Sequence, residues 1–174
     1  MDQRFTPKSP VRTGVIPFVV PANLSARSDQ QPGLGNELAW ATHRKLLETG
    51  VFPVIEVLNR QDWPRKNEEF FSGNFGALAF ARDAGYDLIV VGYLDPLVRL
   101  DTWTVHTKII EVASGITLWY GTSTVDTVRA DMLETSSSIG MTDRRFDMLY
   151  TKELVDTVTS CIAYDMTHDP EVDD

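Results

Sequence analysis

Alternation of apolar and polar positions divides the chain into short segments of strand and helix period. The organising stretch runs from Gly85 to Gly121. It opens with Leu88-Ile89-Val90-Val91, a continuous apolar run flanked by glycines, which predicts a strand buried on both faces. Residues Trp103 to Val112 mix β-branched and aromatic side chains with polar ones, as a strand with one wetter face does. Ser114-Gly115 supplies a tight turn, and Ile116 to Tyr120 returns as the next strand, extending through Thr122 to Thr127. One central strand thus feeds an antiparallel meander.

Upstream, Thr13 to Val20 predicts a first strand. Pro17 cannot donate to a ladder, so this strand lies at an edge or its proline marks a bulge. Pro21 to Gly35 is a long loop of turn residues. Asn36 to Thr49 predicts a helix with Leu34, Leu38, Ala41 and Leu46/Leu47 inward and Gly50 ending it. Phe52 to Leu58 predicts a second strand. Pro64, Glu68 and Glu69 suit a second helix start. That helix runs to about Ala84, irregular at Ser72-Gly73-Asn74, with Phe71, Phe75, Leu78 and Ala79 as its apolar side. Downstream, 131–145 is polar and aperiodic, a loop or a helical turn and loop. Phe146 to Met166 predicts the last helix, with Leu149, Leu154, Val158, Cys161 and Ile162 near one stripe. The order β-α-β-α-β-β-β-α predicts an α/β sandwich with a mixed β-sheet, its first strands parallel through crossovers. Residues 1–11 form a flexible lead-in, 12–166 a single domain and 167–174 an acidic tail.

Composition narrows the function. The 174 residues are 43% hydrophobic and 24% charged, ordinary for a globular protein. A net charge of −9 and the lack of a basic cluster predict no nucleic-acid partner. The one cysteine, Cys161, excludes an internal disulfide and falls on an apolar-patterned segment, as a buried structural thiol does. No apolar run approaches the roughly 20 residues that span a bilayer, and the polar amino terminus has no signal region. The chain is therefore expected to be cytosolic, or exported with its signal removed.

Candidate chemistry is sparse. Gly33-Leu34-Gly35-Asn36, with Glu56 about 20 residues on, is similar to a dinucleotide fingerprint. Leu38 occupies the third glycine's position, however, and the glycines follow a long loop instead of a tight turn. His43, His106 and His168 are too scattered for a ligand set, so no metal or cofactor is expected. His106 alternates with Thr104 and Lys108, which predicts a solvent-facing position, and no nucleophile is evident beside it. Ser136-Ser137-Ser138 lacks the elbow of a hydrolase serine. No catalytic residue is assigned. Trp40 and Trp119, the latter beside Tyr120, are expected in or half in the core. Trp63, before Pro64, and Trp103, after Asp101-Thr102, are expected to be exposed, and they are the candidate protein-contact residues.

The motifs Ala84-Gly85-Tyr86-Asp87-Leu88-Ile89-Val90-Val91-Gly92-Tyr93 and Ile109-Ile110-Glu111-Val112-Ala113-Ser114-Gly115-Ile116 resemble two signatures of a bacterial envelope family. That family includes the curli-secretion lipoprotein CsgG, the penicillin-binding-protein activator LpoB, FlgO proteins and the amino-terminal domain of TolB. Ile16-Pro17-Phe18 and the passage Leu46 to Phe52 fit as well, so the resemblance covers roughly 12–165. Glu111 and Ser114 replace the commoner Asp and Thr of the second signature. No added pair of alternating strands of about ten residues accompanies it, so a membrane pore is not implied.

The resemblance implies an anticodon-binding-domain-like sandwich without enzymatic activity, acting by self-assembly or by docking on envelope partners. It implies a periplasmic, outer-membrane-associated location, with any lipid anchor outside this chain. The alternative is a small-molecule or nucleotide-binding domain using the Gly33–Asn36 loop.

Overall fold

The computed structural model describes residues 10–21, 33–58, 66–96, 102–126 and 143–168. In chain order the elements are β1 (Arg12–Val15), α1 (Leu34–Thr49), β2 (Val54–Val57), α2 (Lys66–Ser72) and α3 (Phe75–Asp83). They continue with β3 (Leu88–Leu94), β4 (Thr102–Glu111), β5 (Thr117–Asp126) and α4 (Asp143–Thr167). The five strands form one mixed sheet in the order β2-β1-β3-β4-β5. β1 runs parallel to β2 and β3, while β3–β4 and β4–β5 are antiparallel. The expected α/β architecture is the observed one.

Each strand is explained by which faces it buries. β3 is buried on both faces because α1 and α4 cover one side while α2 and α3 cover the other. Leu88, Val90 and Leu94 join the first core with Val15, Leu38, Val105 and Val158. Ile89 and Val91 join the second with Phe70, Leu78 and Ile110. Burying each such aliphatic side chain contributes about 1.5–3 kcal/mol. β4 has one covered face along its whole length, so its burial alternates.

Several expectations change. Of the two readings of Pro17 the edge falls, because β1 lies between β2 and β3, and the bulge holds, because Val15 to Val19 spans one residue more than the facing Val90 to Tyr93. The Ile16 amide donates to Val90 O at 2.9 Å, and pairing resumes where Val19 N donates to Gly92 O at 2.9 Å. The second helix is two helices, because Gly73 (φ 119°) and Asn74 (φ 57°) leave helical space. That break resets the helical phase. Phe70, Ala77, Leu78 and Ala81 are buried, and Phe71 and Phe75, expected inside, are exposed. On α1 Leu47 and Trp40 are likewise exposed, while Leu34, Leu38, Ala41 and Leu46 face the core. Cys161 is half-buried and packs against the first core; burial pushes its thiol pKa up.

A polar clamp ties the starts of β1, β2 and β3 together. The Arg12 amide donates to Asp87 Oδ2 at 2.9 Å, and its Nη1 donates to Ala84 O and Gly85 O at 3.2 Å each. The guanidinium lies 4.5 Å from the Tyr86 ring centre and 3.5 Å from Glu56 Oε2. The Tyr86 hydroxyl donates to that same carboxylate.

This donation, helped by the Arg12 charge, holds the Glu56 carboxyl below its ordinary value of 4.5. Its contribution to stability is therefore present above pH 4.5 and is lost as pH falls through the lower folded value. Burial, then the bond to Glu56, raises the Tyr86 pKa above 10, so Tyr86 contributes nothing to acid sensitivity. Thermal melts between about pH 3 and pH 6 should show a shallower acid decline in Glu56→Gln than in the natural chain. Parallel declines would assign the acid sensitivity elsewhere.

Candidate functional site

The two faces of the sheet are covered unequally. α4 packs over β5 and β4 on one side, where Ser123 Oγ donates to Asp165 Oδ2 at 3.2 Å. On the other side α2 and α3 lie over β3 and the base of β4. Lys108 marks the boundary. Its Nζ donates to Phe70 O at 2.6 Å and stands 4.3 Å from the Phe70 ring centre, holding the last turn of α2 against β4. Desolvation there pulls the ammonium pKa below its ordinary value. Beyond Lys108, Thr102, Thr104 and His106 of β4 are half-buried, and Tyr120, Thr122, Thr124 and Asp126 of β5 are exposed.

An aromatic row crosses this open half. Phe71 of α2 meets the Tyr93 ring edge-on at 5.0 Å between centres. Tyr93 adjoins His106 at 6.3 Å, and His106 stacks on Tyr120 at 6.1 Å with an 18° interplanar angle. The strands set this row, because Tyr93 is in register with His106 and His106 with Thr122.

Hydrogen bonds fix the imidazole. His106 Nε2 lies 3.1 Å from Asp95 Oδ2. A carboxylate only accepts, so this nitrogen carries the proton. In the neutral ring Nδ1 then accepts from the Tyr120 hydroxyl at 2.7 Å, with Thr122 Oγ1 3.1 Å from the same nitrogen and its hydroxyl donating to the Tyr120 oxygen at 3.4 Å. The network orients Tyr120 outward on the sheet.

The carboxylate, imidazole and hydroxyl sequence Asp95–His106–Thr122 gives His106 the partner that sequence reading missed. Cross-strand register supplies it, and strand alternation in β4 and β5 was the available signal. Thr122 sits on an exposed strand face.

The candidate contact residues divide differently. Trp103 is only 4% exposed and belongs to the first core, which corrects its expected exposure. Polar Thr104 and His106 claim the open face, so strand alternation turns Trp103 toward α4. Trp63 lies outside the described residues. Trp119 is half-buried as expected, whereas Tyr120 is exposed.

The Gly33–Asn36 passage has a packing explanation. A Cβ on Gly35 would stand 2.2 Å from Phe18 O, and Gly35 O accepts from Phe18 N at 2.9 Å. The Asn36 and Glu37 amides donate to Gly33 O. The Gly35 carbonyl and the space beside its Cα are thus taken by Phe18. A cleft between Pro17 and Asn74 has a volume of about 20 Å³, room for a water and not for an organic cofactor. Among the described residues no three His, Cys, Asp or Glu side chains are grouped to hold a metal, and no helix is long and apolar enough to cross a membrane.

No protein-family model matches the chain, nor does any curated protein. Solved structures share its fold. PelC from Paraburkholderia phytofirmans, solved as a dodecamer, is 12% identical with a TM-score of 0.50, over 88% of this chain and 84% of that one. Protein XCC0632 from Xanthomonas campestris is 10% identical with a TM-score of 0.52, over 92% and 86%. The C-terminal domain of LpoB from Escherichia coli is 12% identical with a TM-score of 0.44, over 66% and 82%, a likeness too faint to argue from. At these identities the likeness shows the fold.

Proposed function

We propose that the chain is a non-enzymatic protein of the bacterial cell envelope that acts through protein–protein contacts, chiefly self-assembly. It would serve a secretion, surface-structure or cell-wall-regulating complex. The observation that carries this reading is the open half of the sheet, where His106 and Asp95 hold Tyr120 outward on β5, the last strand of the sheet among the described residues. Rigid, outward-held tyrosines are favoured anchors of protein interfaces because they bury large area at low entropic cost.

Two further observations support it. The strand and hairpin motifs resemble the CsgG, LpoB, FlgO and TolB group, and PelC, which shares the fold, is a dodecamer. The periplasmic, outer-membrane-associated location belongs to the same proposal.

Fractionation of cells expressing the native gene tests the location. The chain is expected in the envelope fractions, and a wholly cytosolic pool would overturn the envelope assignment. Activity is tested separately: saturable turnover of any substrate, abolished by His106→Ala in a folded chain, would overturn the non-enzymatic reading.

A further inference from the structure

Two apolar patches lie at opposite edges of the sheet. The first is Trp40, Leu47 and Val51, exposed by 50%, 52% and 56%. Its place follows from α1's contacts. Lys45 Nζ reaches Asp156 of α4 at 3.2 Å, and His43 Nε2 lies 3.2 Å from Ile55 O of β2. At about 100° per residue, Trp40 and Leu47 stand beyond His43, turned away from α4 and bordering the β2 edge. The second patch is Ile116, Leu118 and Tyr120, exposed by 60%, 48% and 52%, along β5.

β5 has the features of a pairing edge. It is ten residues long, against roughly 5–6 for a typical strand, and contains no Pro, Lys or Arg of the kind that blunts edges. Among the described residues no strand pairs with its outer side.

Charge decides how two copies meet. Around β5 stand the carboxylates of Asp95, Asp126 and Asp165, while the nearby Lys108 ammonium is bound beneath Phe70. Joining β5 to β5 would bring together two edges that lack a neighbouring exposed cation among the described residues, on a chain of net charge −9. The α1 flank is mixed in charge and places exposed Arg44 one turn from Trp40, with Glu48 a turn beyond. Among the described residues this flank offers β5 both an apolar match and a cation.

We infer that the occupant of the β5 edge is the α1/β2 flank of a second copy of this chain, in a head-to-tail contact that closes into a ring or runs into a filament. This rests on the self-assembly reading and names its surfaces. Patches at opposite edges make the contact heterologous, so each copy retains one free patch for the next.

Mixing of two variants, read by light scattering, tests it. Leu47→Asp spoils the flank and Leu118→Asp spoils the edge. Each alone is expected to be monomeric where the natural chain is assembled. Mixed in equal amounts they should form a heterodimer and nothing larger, since one intact flank and one intact edge remain. Trp40→Lys and Tyr120→Lys form a second pair for use if either variant lacks a cooperative melt. An assembled Leu47→Asp chain, or folded variants that stay monomeric on mixing, would overturn the inference while leaving self-assembly standing. A natural chain monomeric throughout would overturn both.

Discussion

Trp103→Ala should destabilise the fold by about 3–5 kcal/mol, lowering the melting temperature by on the order of 10 °C. The indole is 4% exposed and lies opposite Val125 in the β4–β5 register, in the core that α4 closes with Val155, Val158 and Ile162. Truncation removes a large apolar surface and leaves a cavity between sheet and helix that backbone on both sides prevents from collapsing. The folded fraction should keep the natural chain's oligomeric mass, because the residue faces inward. An unchanged melt with altered mass would instead make Trp103 a contact residue.

Gly35→Ala is expected to cost about 2–3 kcal/mol, the upper part of the range for overpacking. The added methyl meets Phe18 O, a backbone atom already fixed by the bond from Phe18 N to Gly35 O, so no rotamer change relieves it. α1 would have to move away from the β1 extension, loosening Phe18 over Gly92. Chemical denaturation measures the loss. If the glycine served a phosphate, the variant would keep its stability and lose nucleotide binding, and that outcome would restore the nucleotide alternative.

Much of the fold was legible because burial has a local period. Leu88 to Val91 reads as doubly buried and is, since helices cover both faces of β3. Trp103 shows information misapplied: its polar neighbours Asp101 and Thr102 suggest exposure, yet Thr104, His106 and Lys108 two apart define the open face and assign Trp103 to the other. Trp40 fails for a different reason. Helical period turns it away from Leu38, but its size favours burial, and only the packing of α1 between β2 and α4 leaves it half exposed.

Phe71 and Phe75 were misplaced by carrying one helical phase across Asn74, whose left-handed backbone starts a new one. The candidate site was the least legible part. Asp95 follows β3, His106 lies on β4 and Tyr120 and Thr122 lie on β5, so only the cross-strand register joins them, and the strand order that leaves β5 at an edge is a property of the whole sheet. No local pattern encodes it.

Association through the open sheet half and its edges would set the mass of the chain in solution. The most direct measurement is the molar mass of the natural chain in solution by light scattering, across a wide concentration range and in salt up to about 0.5 M, where long-range charge effects are screened. A discrete oligomer that survives dilution and salt is the predicted result. A strict monomer at every concentration would contradict self-assembly.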